Sequence, residues 1–225
     1  MTKRWVLLVA RPTPSGIDQR SVGVIAEAVG GAVVEPVRVA YLDQAQPSIH
    51  TVLDEAVAAG VDKVLVVAVA VPADPYLATW IARGVANWRE TRAPVALDVR
   101  LAGGLAAEPG VGAAVAALAR GDGEPITASP AAYRSPSWSE VPHYTRHVLV
   151  CRGPRCTAYG AGATHRALSA AARGSDTIVT PVGCLAPCNL GPLVVVEPEG
   201  VWHHGVDTDR ATAIITAGES TPPTR

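Results

Sequence analysis

The sequence predicts an α/β protein with two domains, and three observations lead to this prediction. Continuous apolar stretches alternate with helical patterns over residues 1–120, a segment rich in Pro, Ser, Gly and Thr follows at 121–142, and a new apolar strand begins at His147. Apolar strands that alternate with helices are typical of a parallel sheet covered on both faces. We therefore expect a first domain over 1–120, a linker over 121–145 and a second domain over 146–220.

The first domain is predicted to be a four-stranded α/β unit. Ser48 is well placed to cap the second helix, and Gly60 is well placed to end it. A loop with Pro and Gly at 11–16 separates the first strand from the first helix. The strands are predicted at 6–9, 33–40, 64–71 and 95–100, and the helices at 21–29, 48–59, 77–88 and 112–119.

The second domain is predicted to begin with a strand that runs directly into a cysteine. A helix, a second strand, a β-hairpin and a final helix follow. The Pro-Glu-Gly sequence at 198–200 is the predicted hairpin turn. The strands are predicted at 147–150, 177–181, 193–197 and 201–205, and the helices at 163–172 and 209–217, so that the cysteines are expected on loops.

Composition and charge exclude two classes of partner. The 225 residues are 48% hydrophobic and 17% charged with a formal net charge of −1, and no cluster of Lys and Arg stands out. Such a chain offers no basic surface for a nucleic acid. The apolar run at 5–10 is cut off by Arg11 and Pro12, far below membrane-spanning length. We expect a cytoplasmic protein whose first apolar run is a buried strand.

All four cysteines fall within 38 residues of the second domain, in two pairs: Cys151 with Cys156, and Cys184 with Cys188. Clustered thiols in a reducing compartment indicate a metal centre more than disulfides. Iron–sulfur clusters take thiolate ligands, and a [2Fe-2S] cluster needs two on each iron. A zinc site with four cysteines is the alternative, although zinc knuckles usually have spacings of two residues.

The second domain resembles a known family over residues 147–218. The motifs that carry the resemblance are CRGPRC, GCLAPCNLGP and VVVEPEGVWHHGV. They resemble the thioredoxin-like [2Fe-2S] ferredoxins, relatives of a small subunit of respiratory complex I. The resemblance implies that all four cysteines bind a [2Fe-2S] cluster, and that the domain passes single electrons to or from a redox partner protein. His203 and His204 are then surface or packing residues.

The first 120 residues resemble a second family, the short sirohydrochlorin chelatases of cobalamin and sirohaem synthesis. The matching segments are VLLVARPT, VRVAYLDQAQPSI and VDKVLVVAVAV, in the same order and with the same spacing. The resemblance implies a parallel α/β fold, a site at the strand ends and an anionic tetrapyrrole as ligand. It also raises the possibility of a homodimer.

This sequence departs from the chelatase pattern at the two metal-binding histidines. Arg11 stands at the first position and Tyr76 near the second. A permanent cation repels a divalent ion and cannot act as a base at neutral pH, so independent metal insertion is not expected. Arg11 with Thr13 would hold a carboxylate or phosphate group, or Arg11 simply caps a surface loop.

Two carboxylates lie at the same strand ends. Asp43 stands at the family's acidic position and Asp74 lies in the second loop, so a weak carboxylate site is a further candidate. His50 has no matching partner, and we expect it to be a solvated histidine on its helix.

Three functional hypotheses follow from the sequence. The first is a protein that transfers electrons or senses redox state, with a [2Fe-2S] cluster and a chelatase-like domain that has lost its histidines, linked to cobalamin or tetrapyrrole metabolism. The second is an active sirohydrochlorin cobalto- or ferrochelatase whose cluster is structural or regulatory. The third is a non-catalytic scaffold with a four-cysteine zinc site.

Overall fold

Two four-stranded sheets organise the part of the chain that the structure describes. The structure is a computed structural model and describes residues 2–11, 19–121, 125 and 140–219. The first sheet has the strand order β2-β1-β3-β4, and the second has the order β6-β5-β7-β8. The sheets fall within the predicted ranges 1–120 and 146–220, while most of the predicted linker lies outside the described residues. The domain boundaries stay predictions.

The first sheet is fully parallel, as the alternation of apolar strands and helices predicted. Its central strands β1 and β3 carry the most apolar sequences, because a central strand is covered on both faces. The elements are β1 Arg4–Ala10, α1 Gln19–Ala32, β2 Val37–Tyr41, α2 Ile49–Ala58, β3 Lys63–Ala68, α3 Pro75–Thr91, β4 Asp98–Leu101 and α4 Pro109–Ala119.

The core of the first half lies between this sheet and helices α2 and α3. Leu7 and Val66 from the sheet pack in one cluster with Leu53 of α2 and with Leu77 and Trp88 of α3. All five side chains are almost completely removed from solvent. This packing fixes α2 and α3 relative to the carboxyl ends of β1, β2 and β3, where the loops that follow these strands meet.

Local signals position the ends of the helices. Ser48 caps α2 as predicted, since its Oγ accepts a hydrogen bond from the Thr51 N–H at 3.2 Å. Gly60 follows α2 with φ +66°, a conformation that favours glycine. Asp74 caps α3 by accepting hydrogen bonds from the N–H groups of Tyr76 and Leu77 at 2.9 and 3.1 Å. The helix therefore begins two residues before its predicted start.

The second sheet is mixed. Strand β5 pairs parallel with β6 and antiparallel with β7, and β7 pairs antiparallel with β8 in the predicted hairpin. Its core contains Val148, Val194, Leu168 and Ile215. The elements are β5 Arg146–Cys151, α5 Pro154–Ala158, α6 Ala161–Ala171, β6 Thr177–Val182, β7 Val194–Glu197, β8 Val201–His203 and α7 Thr208–Glu219.

The prediction that the cysteines lie on loops is wrong for three of the four. Cys151 is the last residue of β5, Cys156 lies in the short helix α5, and Cys188 begins a 3-10 turn. Cys184 alone lies on a loop. The short helix escaped prediction because Gly153 and Pro154 look like turn residues, whereas Pro at the first position of a helix is well tolerated.

The two halves contact each other directly, which the sequence did not predict. Helix α5 packs against α2 and α3. The Gln44 N–H donates hydrogen bonds to the Arg152 carbonyl at 3.0 Å and to the Thr157 Oγ1 at 3.1 Å. In return, Arg152 Nη2 donates to the Gln44 carbonyl. This contact joins the loop after β2 to the segment between the first two cysteines.

No helix among the described residues is long and apolar enough to span a membrane.

Candidate functional sites

The second half brings the four predicted cysteine ligands together. Cys151 and Cys156 are buried at 1% and 2% exposure, Cys184 is exposed, and all four are free thiols. The Sγ atoms of Cys184 and Cys188 are 3.4 Å apart. Cys151 and Cys156 pack in one buried cluster with Leu185, the residue after Cys184. The site therefore has one pair of thiols inside the protein and one pair toward solvent.

Two glycines let the backbone approach the sulfur atoms closely. A Cβ atom added to Gly191 would lie 2.7 Å from Cys156 Sγ, and one added to Gly153 would lie 2.9 Å from Cys184 Cβ. Such separations are too short for any side chain. Thiolates that the backbone can approach this closely suit a [2Fe-2S] cluster, since nearby N–H groups stabilise its negative charge.

The thiols differ in acidity because they share hydrogen bonds. The hydrogen bond from Cys156 lowers the pKa of Cys151 to about 6, and the same hydrogen bond raises the pKa of Cys156. Burial and the neighbouring Cys184 raise the pKa of Cys188 to about 11. In the described part of the chain, no three His, Cys, Asp or Glu residues are grouped closely enough to hold a metal ion as the side chains stand.

A second group of polar residues lies at the carboxyl ends of the first sheet. Arg11 Nε is 3.3 Å from Asp43 Oδ2, and Arg11 Nη1 is 3.4 Å from Asp74 Oδ2. The same guanidinium lies over the Tyr76 ring, 4.3 Å from its centre. Four of the five residues proposed from the sequence are thus in contact. The fifth, Thr13, lies outside the described residues.

The charges at these strand ends are balanced within the protein. Burial lowers the pKa of Arg11, but the carboxylates of Asp43 and Asp74 outweigh that effect and raise it. Burial raises the pKa of Asp43 despite the arginine, and its Oδ1 is buried without a hydrogen-bond partner. The guanidinium is therefore held by two carboxylates at the strand ends, and its role as an anion site or as a loop cap stays a prediction.

The strand-end site and the cysteine site are neighbours. Burial raises the pKa of Tyr76, and the charge of Cys184 raises it further, as does that of Cys188. The charge of the buried Arg152, which follows Cys151 in the chain, lowers the pKa of Asp43 in part. The two groups predicted separately from the two halves thus meet at the contact between them.

The prediction for His50 is wrong. Its side chain is 3% exposed, its Nε2 is 2.9 Å from the Gly84 carbonyl oxygen of α3, and burial lowers its pKa. A usable signal was present in the sequence, because His50 precedes Leu53 by three residues and so lies on the buried face of α2. Of the hairpin histidines, His203 is half-buried and His204 is exposed.

Comparison with known proteins identifies the first half. The CbiX family model matches residues 6–122, just over half of the chain. A crystal structure named as a cobalamin (vitamin B12) biosynthesis CbiX protein, from Marinobacter aquaeolei VT8, is similar at 21% identity. That likeness covers 52% of this chain and 93% of the other, with a TM-score of 0.41.

The second half is similar to ferredoxins. A [2Fe-2S] ferredoxin of Aquifex aeolicus is 44% identical over 39 residues, which are 17% of this chain and 35% of that protein. This chain therefore spans little more than a third of that relative's length. The crystal structure of the thioredoxin-like [2Fe-2S] ferredoxin from the same organism is similar at 29% identity. It covers 32% of this chain and 84% of its own, with a TM-score of 0.30.

Proposed function

The chain belongs to the CbiX family, and we propose that it is a [2Fe-2S] protein that transfers electrons or senses redox state beside a CbiX domain that no longer inserts metal by itself. The observation that carries the proposal is the gathering of four free cysteines at one site, where Gly153 and Gly191 let the backbone approach the sulfurs. When bound, the cluster would supply reversible one-electron chemistry.

The two cysteine pairs would hold the cluster from opposite sides. Cys151 and Cys156 would anchor it from the buried side, where β5 and α5 hold them rigidly. Cys184 and Cys188 would hold it from the solvent side. An electron partner would therefore approach at the loop that follows β6.

The loss of metal insertion is inferred from the strand-end residues. Insertion of a metal ion into a tetrapyrrole requires neutral nitrogen ligands that bind a divalent ion and accept protons. Arg11 and Tyr76 occupy or adjoin those positions, and Arg11 is held in ion pairs with Asp43 and Asp74. A guanidinium stays protonated at every physiological pH, so it supplies neither a ligand nor a base.

The proximity of the two sites supports a link between the cluster and the CbiX domain. The Gln44 N–H donates hydrogen bonds to the carbonyl of Arg152, between Cys151 and Cys156, and to the Oγ1 of Thr157, directly after Cys156. We propose that the cluster serves redox chemistry in cobalamin or tetrapyrrole metabolism, with a protein as its electron partner. The family membership is the support for this setting.

Anaerobic purification followed by metal and sulfide analysis tests the proposal. We expect a red-brown protein with two iron and two sulfide ions per chain, whose visible absorption bleaches with dithionite. A colourless protein with one zinc ion per chain would support the scaffold hypothesis instead. A Cys184→Ala variant, which lacks one thiol of the exposed pair and offers no oxygen ligand in its place, is expected to lose most of the colour.

An active chelatase is the second candidate, and the unpartnered Asp43 Oδ1 is the observation that favours it. Burial raises the pKa of this carboxyl, so it is a better proton acceptor than an ordinary aspartate. Incubation of the purified protein with sirohydrochlorin and Co²⁺ separates the candidates. Metal insertion above the spontaneous rate supports the chelatase, and a rate equal to the spontaneous one, beside a competent CbiX enzyme, supports the degenerate domain.

A further inference from the structure

A cavity of about 660 Å³ lies between helices α2, α3 and α5. Its walls come from both halves of the chain: Leu42 and His50 on one side, Trp80 and Arg83 of α3 on another, and Pro154 and Arg155 of α5 on the third. Its volume falls within the range of pockets that bind small molecules. Neither half would form this cavity alone.

The walls combine a flat aromatic surface with apolar side chains. Trp80 is half-buried, and the guanidinium of Arg83 lies 5.1 Å from the centre of its ring. Leu42 and Ile49 line the same cavity and are buried at 4% exposure each. Indole faces and aliphatic side chains suit a planar ring, because such a ring buries a large apolar area with few lost rotamers.

The charge of the cavity is positive. Arg83 and Arg155 contribute two guanidinium groups, and Glu90 contributes one carboxylate. His50 adds no charge near neutral pH, because burial lowers its pKa. Arg155 donates one hydrogen bond to Asn189 Oδ1, which leaves further N–H donors of its guanidinium. Two arginines in the lining of one cavity favour a phosphate group, which guanidinium groups bind through charge-assisted hydrogen bonds.

We propose that this cavity binds an aromatic phosphate, with the planar ring against Trp80 and the phosphate at Arg83 and Arg155. Helix α5 carries Arg155 directly before Cys156, so the bound molecule lies beside the cysteine site. The site is distinct from the Arg11 strand-end group, since no residue of that group lines the cavity.

Isothermal titration calorimetry on the purified full-length chain tests the proposal with two matched ligand pairs. Flavin mononucleotide is compared with riboflavin, and adenosine monophosphate with adenosine. We expect at least one phosphate to bind at least about tenfold more tightly than its dephosphorylated partner, as a charge-assisted hydrogen bond predicts. Binding of flavin mononucleotide alone identifies a wide ring system, and binding of adenosine monophosphate identifies a nucleotide. Absence of binding by both phosphates, or equal binding with and without phosphate, overturns the proposal.

Arginine variants locate the site. Arg83→Gln and Arg155→Gln are expected to weaken the phosphate by about tenfold each and to leave the dephosphorylated ligand unchanged. Arg120→Gln, an exposed arginine that does not line the cavity, is the control and is expected to bind like the unaltered protein. Because Arg155 directly precedes Cys156, its substitution could also disturb the cysteine site. The Arg83 variant is therefore the decisive test of the phosphate site. Unchanged affinity in Arg83→Gln, or competition by inorganic phosphate alone at equal affinity, overturns the proposal.

Discussion

Gly191 is the residue on which the position of Cys156 depends most directly. A Cβ atom there would lie 2.7 Å from the Cys156 sulfur, so Gly191→Ala must displace either the thiol or the chain, at a cost of about 1–3 kcal/mol. We expect this variant to lose most of its iron, measured as iron per chain and as visible absorbance. Gly183→Ala is the matched control, because nothing lies within 4 Å of its added Cβ. Equal iron in the two variants would contradict the geometry.

His50 makes the stability of the protein depend on pH. Burial lowers its pKa below 6.5 in the folded state, so the unfolded chain binds more protons as the pH falls from about 7. The contribution of His50 is present above pH 6.5 and is lost toward lower pH, by at most about 1.4 kcal/mol per pH unit. Urea unfolding of His50→Gln between pH 5 and 8 is expected to show a shallower slope than the unaltered protein.

The control for this experiment is His204→Gln, since His204 is exposed. We expect it to keep the slope of the unaltered protein. If His50→Gln keeps the same slope, burial does not lower the pKa of this histidine in the folded protein. This residue also shows why the sequence misled: a histidine on a helix looks solvated until the packing of the next helix is known.

At the level of elements, Thr157 connects the two halves. Its Oγ1 accepts a hydrogen bond from the Gln44 N–H at 3.1 Å and donates one to the Arg152 carbonyl at 2.9 Å. Thr157→Val keeps the shape of the side chain and removes both hydrogen bonds. We therefore expect its free energy of unfolding, measured in urea, to be lower by on the order of 1 kcal/mol. Thr212→Val, which removes the bond from an exposed threonine to the Thr208 carbonyl, is the control. A loss no greater than that of the control would contradict the role of Thr157.

The strands and long helices were predictable from sequence because their apolar periodicity is determined by burial. The prediction was less accurate at their ends. Strand β2 begins at Val37 and not at Val33, because Val34 is 99% exposed and Pro36 has no N–H group to donate. Likewise, α5 has five residues, too few for a periodic pattern. The four cysteines were recognisable as candidate ligands from their spacing and motifs, whereas the contact of Gln44 with Arg152 depends on tertiary packing.

At the level of the whole molecule, the cluster is expected to stabilise the fold. The four cysteines tie together the end of β5, helix α5 and the loop after β6. A ligand that binds only the folded state raises the free energy of unfolding by about 2.7 kcal/mol when its concentration is a hundred times its dissociation constant. We therefore expect the cluster-free protein to unfold at a lower temperature than the loaded protein. Identical melting curves would contradict this prediction.

The contact between the two halves creates features that neither half shows by itself. The loop with Asp43 and Gln44 is hydrogen-bonded to Arg152 and Thr157, which flank Cys151 and Cys156 in the chain, and a cavity with two arginines opens between α3 and α5. This arrangement places the strand ends of the CbiX domain beside the segment that carries Cys151 and Cys156. Arg11, at these strand ends, is stabilised by ion pairs with Asp43 and Asp74.

The most direct test of the central proposal is electron paramagnetic resonance of the anaerobically purified protein before and after dithionite. A [2Fe-2S] cluster on Cys151, Cys156, Cys184 and Cys188 predicts a silent oxidised sample and one unpaired electron per chain after reduction, reversible on reoxidation. A protein that stays silent in both states, with zinc in place of iron, would contradict the proposal that this CbiX protein handles single electrons.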